Sequence, residues 1–208
     1  IEVDITRGNL NPLPLAVSPL SVDQNSKEKF KDLLKLEDIG AEISKVVENN
    51  LRQSGLFNPL DPKAFLQKPD IAHVKPRFED WALIKAQALI TGEVKIVDEK
   101  LRVEFRLWDV LAGKEILALA FTTVSENWRR VGHIITDKVY QRLTGEKGYF
   151  DTRIIYVAEE GLKTSRIKKL AIMDQDGFNT KYLTLGNELV LTPRFNPVSY
   201  THLRAHET

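Results

Sequence analysis

Cysteine is absent from this chain of 208 residues, which excludes disulfides, thiol nucleophiles and thiolate metal sites. Any imbalance of charge is absent too. With Lys+Arg 30 against Asp+Glu 29, a formal net charge of +1 and no compensating run of like charge, there is no field to gather nucleic acid or an anionic membrane surface. No apolar run is long enough to cross a bilayer, and Ile1-Glu2-Val3-Asp4 is not a charged region followed by a hydrophobic one. The chain is therefore read as soluble. Its lack of an initiator Met fits either a mature protein after signal cleavage or a fragment that begins inside a reading frame.

Catalytic signatures are missing as well. There is no Gly-x-Ser-x-Gly elbow, and Gly145 to Gly148 does not follow a strand as a phosphate-binding loop would. His73 and His133 have no partners at ligand spacing, and His202 and His206 lack a glutamate between them. Asp174, Asp176 and Gly177 match the opening positions of a calcium loop, but Phe178 occupies a later ligand position and the bidentate glutamate is not in place, so a tight β-turn is the better reading. No metal and no cofactor is expected. Trp81, Trp108 and Trp128 read as packing anchors, because no basic groove runs alongside them.

What is present is patterning at two periods. Ile1, Val3 and Ile5 alternate with polar residues up to Gly8-Asn9, and Leu13, Leu15 and Val17 alternate again between prolines, giving two extended segments. Pro12, Pro14 and Pro19 cannot donate to a ladder, so the second segment should be an edge strand or border one. From Asp38 to Gln53, Ile39, Ile43, Val46, Val47 and Leu51 recur at helical spacing before Gly55, an amphipathic helix with its C-terminal cap. Asn58 to Arg77 reads as a proline-rich loop with at most one short strand, and a brief helix is expected over Glu79 to Lys85.

Between Ala88 and Val124 the row Leu101, Val103, Phe105 and Leu107 alternates with Arg102, Glu104, Arg106 and Trp108, the mark of a sheet wet on one face. Turns at Asp98-Glu99-Lys100 and Ala112-Gly113-Lys114 make it a three-stranded meander, and Trp128, Val131, Ile135 and Val139 then mark a second helix ended by Thr144-Gly145. Two main helices on one face of a mostly antiparallel sheet make an α+β domain over residues 1–147.

Beyond Gly148, short strands are expected at Arg153 to Ala158, Lys168 to Asp174, Thr180 to Thr184 and Leu189 to Leu191, separated by Glu160-Gly161, Asp176-Gly177 and Leu185-Gly186. Glu159-Glu160 reads as a solvated turn. Four short strands with glycine turns make one propeller blade over 148–198, and one blade cannot hide both faces, so the propeller is expected to be incomplete. Residues 199–208 continue neither the alternation nor the turn chemistry. They resemble a translated sequencing-adapter tail and are given no structural weight.

Four segments resemble the TolB family. They are Asp4-Ile5-Thr6-Arg7-Gly8 with Leu13-Pro14-Leu15-Ala16-Val17; Arg77-Phe78-Glu79-Asp80-Trp81 with Ala88 to Val94; the run Leu143 to Val157; and Leu170 to Asn179, with Thr192 to Pro197 like the start of a further repeat. The resemblance implies a non-catalytic periplasmic protein of the Tol-Pal system, which maintains outer-membrane integrity and supports constriction during division. Its partners would be the Pal lipoprotein, held by the propeller, and TolA, which binds the amino-terminal segment. By position the second role falls on Ile1, Glu2, Val3, Asp4, Ile5, Thr6, Arg7 and Gly8, and no residue is assigned to Pal.

The residues themselves permit strand addition there, since an alternating segment set off by Gly8 and Asn9 offers backbone groups and a small apolar face. They equally describe an ordinary first strand, and the two can alternate. The main rival reading is a fragment of a propeller-bearing serine peptidase. A nucleic-acid domain is a weaker one, because phosphate neutralisation needs clustered Lys and Arg.

Overall fold

The computed structural model describes residues 11–72, 74, 76–162, 165–186, 190–195 and 203–206. Ile1 to Gly8, His73 and His202 lie outside the described residues. The chain divides into two compact units, Ile1–Phe150 and Asp151–Thr208.

In the first unit β1 (Leu13–Val17) and β2 (Ser21–Val22) lead into α1 (Gln24–Leu34) and α2 (Ile39–Gln53). Asp23 and Asp38 cap these helices by accepting from the backbone N–H of Ser26 and Ala41, the arrangement that satisfies an orphan first-turn donor. β3 (Phe57–Pro59), a 3-10 turn at Pro62–Ala64, α3 (Pro69–Ala72) and α4 (Phe78–Leu83) follow. Then come β4 (Ala88–Val97), β5 (Lys100–Asp109), β6 (Lys114–Thr123) and α5 (Trp128–Thr144). Positive φ at Asp98 and Glu99 closes the β4–β5 hairpin in the mirror-image turn that matches strand twist.

The sheet order is β3-β1-β4-β5-β6, with β2 also pairing with β4. The meander is antiparallel over its whole length, so most paired positions are antiparallel as expected. The pairings of β1 with β3 and β4, and of β2 with β4, are parallel. β1 is an interior strand beside the short edge strand β3. Pro14 is tolerated because the β4 ladder starts only at Leu15 opposite Ala88, and the Pro14 carbonyl still accepts from the Gln87 N–H. The long α1 was not anticipated. Only Ser26 and Phe30 of it are buried, so its apolar stripe is too narrow to announce a helix.

One face of the sheet packs under α2 and α5. Leu101, Val103, Phe105 and Leu107 meet Ile39, Ile43, Val47 and Leu51 of α2 and Val131, Ile135, Val139 and Leu143 of α5 in one buried cluster. The helices cross closely at Gly132, where a Cβ would sit 2.9 Å from the Val46 side chain. Within this apolar contact lies a polar hub. The Asn50 amide lies 2.9 Å from His133 Nδ1 and donates to Thr136 Oγ1 at 3.2 Å, and Thr136 donates on to the Gly132 carbonyl. The opposite face carries a smaller cluster of Ala16, Trp81, Ala86, Leu89 and Val110. There the buried Gln67 Oε1 accepts from Trp81 Nε1 and from the Arg77 N–H.

In the second unit β7 (Arg153–Leu162), β8 (Ser165–Asp174) and β9 (Lys181–Tyr182) form an antiparallel sheet. Glu160-Gly161 is not a turn, as expected from sequence, but part of β7. Pairing runs on to Leu162 opposite Ser165, and Glu159 lies opposite Lys168, so cross-strand ion pairs keep the acidic pair in the ladder. β10 (Leu191–Phe195) pairs with β11 (Leu203–His206) instead of closing a fourth strand on β9. Leu203 to His206 thus takes part in backbone pairing although no structural weight was expected of the segment it belongs to. Ladder hydrogen bonds do not depend on side-chain identity, so an unpatterned segment can still fill an open edge.

Replacing Asn50 by Ala removes the amide that His133 and Thr136 share in a dry contact. It should destabilise the chain by about 1–3 kcal/mol, read by urea denaturation followed by helical circular dichroism.

Candidate partner-binding surfaces

The segment singled out for partner binding, Ile1 to Gly8, lies outside the described residues. It joins β1, whose two neighbours in the sheet are both occupied.

Among the described residues, the other end of that sheet is open. β6 is its last strand, ten residues long, and Ile116 to Thr123 carry neither charge nor proline nor glycine. Leu119 belongs to the helix-facing row yet is 37% exposed, because β6 has no further strand beside it. Arg142 of α5 donates its Nε–H to the Ile116 carbonyl at 2.9 Å, which occupies one acceptor at the start of the strand. The opposite face of the sheet is lined by the ion pairs Lys95–Glu93, Arg102–Glu104 and Arg106–Glu115. Lys95 is held above its ordinary value, first by its hydrogen bond to Glu93. Val74, Gly92, Glu93, Glu104 and Arg106 line a cleft of about 140 Å³ there, in which the charges of both signs offset one another.

Each of the described candidate metal and nucleotide residues has structural contacts of its own. His133 is buried between α2 and α5 in the polar hub. Asp174 and Asp176 shape a turn. The Gly177 N–H donates to the Asp174 carbonyl at 3.0 Å, the Phe178 N–H to Asp176 Oδ1, and Gly177 takes a positive φ. The tryptophans pack. Trp81 is buried edge-on against Phe65, and Trp108 meets Phe78 edge-on while donating to Thr91. Trp128 packs against the main cluster under the Arg129 guanidinium.

The second unit presents a more apolar surface. Ile154, Ile167, Phe178, Tyr182 and Leu183 are exposed, and Leu185 is 86% exposed. Ion pairs cross its hairpin. Arg166 and then Lys168 keep the Glu159 carboxyl below its ordinary value, and Lys169 does the same for Glu160. Sequence reasoning missed this ladder, the Asn50 hub and the Gln67 anchor. Asn50 could have been found, since it sits at helical spacing inside an apolar stripe.

Comparison with known proteins agrees with this architecture. The model described as the TolB amino-terminal domain matches residues 1–116, and that of the TolB beta propeller domain matches residues 140–204. The Tol-Pal system protein TolB of Pelagibacter ubique (strain HTCC1062) is 83% identical over 199 residues, which is 96% of this chain and 45% of that protein. The chain thus spans less than half the length of this curated relative. The crystal structure of TolB from Acinetobacter baumannii shares the fold at a TM-score of 0.70 and 23% identity, covering 88% of this chain and 41% of that one.

Because their folded values are depressed, Glu159 and Glu160 support the hairpin above the ordinary glutamate range. That support is lost as pH falls through their lowered values. In a carbon-detected titration both carboxyls should titrate below 4.5, the ordinary value, and Arg166→Gln should move Glu159 back towards it.

With a family model covering more than half of the chain and an 83% identical relative aligned along nearly all of it, the chain belongs to the TolB family.

Proposed function

We propose that the chain is the front part of a non-catalytic, periplasmic component of the Tol-Pal system, one that links TolA and Pal, maintains outer-membrane integrity and supports constriction during division. The observation that carries this reading is the 83% identity to a Tol-Pal system protein along 96% of the chain. In this reading residues 1–147 belong to its amino-terminal domain, and the first blade of the propeller, set over 148–198, has its strands from Arg153 onward. The blade's exposed apolar side chains, Leu185 and Phe178 among them, fit a repeat that is covered by neighbours around a ring.

In this reading Ile1 to Gly8 is the TolA-binding segment, and Pal is gripped by blades outside the present chain. Strand addition is the physical mode. Backbone donors and acceptors supply affinity, and Ile1, Val3 and Ile5 supply one apolar face. Among the described residues no helix is long and apolar enough to cross a membrane. The serine-peptidase reading draws no support from the relatives described above.

Deleting Ile1 to Gly8 should abolish binding to purified TolA in a titration calorimeter and leave the helical circular dichroism signal intact. Unchanged TolA affinity would remove the assignment.

A further inference from the structure

The run Gly145 to Phe150 lies at the end of the first unit, where a slack, protease-sensitive connection is the ordinary expectation for a domain boundary. Its contacts are of another kind. The helix α5 ends on Gly145, which takes φ +79° and donates its N–H to the Gln141 carbonyl. The chain then turns back along α5. Thr144 Oγ1 accepts from the Glu146 N–H, and Asp137 Oδ1, two turns up the helix, accepts from the Phe150 N–H at 2.7 Å.

Between these bonds Gly148 rests on the helix itself, where a Cβ would lie 2.4 Å from Asp137 Cα. No other residue could approach so closely without a backbone shift. Phe150 is 1% exposed. It stacks on Tyr149 at 4.4 Å, both rings meet Tyr140 edge-on, and Tyr140 in turn meets Phe57 of β3. Burial, followed by the nearby Tyr149 and Glu146, raises the Tyr140 hydroxyl above its ordinary value.

We propose that residues 145–150 are a strap latched onto α5, with Asp137 as its positioning residue and Gly148 as the point of close approach. A displacement reaching Phe150 then passes to α5 instead of being absorbed by slack chain. The strap stands independently of the Tol-Pal reading, because it needs only the contacts within the first unit.

Trypsin tests it. Lys147 is exposed within the strap, Lys63 is exposed in the turn after β3, and Lys45 is exposed on α2. In the native chain, cleavage after Lys147 should be much slower than after Lys63. Asp137→Ala and Gly148→Ala should each raise cleavage at Lys147 at least about tenfold, since cutting of a transiently opened segment follows its open population. Cleavage at Lys45 should not change. Asp137→Asn keeps an acceptor for the Phe150 N–H and should behave like the native chain. Native cleavage at Lys147 as fast as at Lys63 would overturn the proposal. So would variants that raise cleavage at Lys147 and Lys45 alike, or an Asn variant as sensitive as the Ala variant.

Discussion

Four side chains of β5, Leu101, Val103, Phe105 and Leu107, have to be kept from water, and much of the first unit is arranged around that need. Full burial of a side chain of this size contributes roughly 1.5–3 kcal/mol, so the row needs two helices over it. Both α2 and α5 must therefore lie on the same face and cross at short range, which Gly132 permits. Once they touch, any polar group between them is dry and needs a partner, which Asn50, His133 and Thr136 supply to one another. The position of α5 then decides where Asp137, Tyr140 and Arg142 point. Through them it decides where the strap lies and which carbonyl of β6 is engaged.

The parts of this fold that rest on local periodicity were legible in the sequence. The meander, the α2 stripe and the α5 stripe announced themselves because one face of each is buried and the other wet. Gly145 and Asp176-Gly177 were legible because their turns require backbone conformations that glycine adopts readily. What stayed hidden depends on residues distant in sequence. The parallel neighbours of β1 come from the β3 and β4 regions, so nothing near Pro14 could say that the strand is interior. Glu159 and Glu160 looked like a solvated turn until the register set Glu159 opposite Lys168. α1 buries too little to be seen by pattern alone.

Of the candidate site, less could be read. The alternation of Ile1, Val3 and Ile5 marks a segment suited to strand addition, but its residues equally suit a first strand, and it lies outside the described residues. The absence of charge from Ile116 to Thr123 was visible in the sequence. That this stretch forms an open sheet edge was not, because strand order is a tertiary property. The two units also differ in how they are held. The first has a continuous apolar core. The second is held by the backbone ladder of its hairpin, and the ion pairs across it contribute little at exposed positions and are screened by salt.

In the proposed function this TolB-family chain is part of an adaptor whose strands and blades present docking surfaces. The most direct test of that reading is calorimetric titration of the complete gene product with purified TolA and, separately, with purified Pal. Saturable binding of each partner is the result expected from the proposed function. Absence of heat and of complex with both partners, from a protein whose circular dichroism shows it folded, would contradict it.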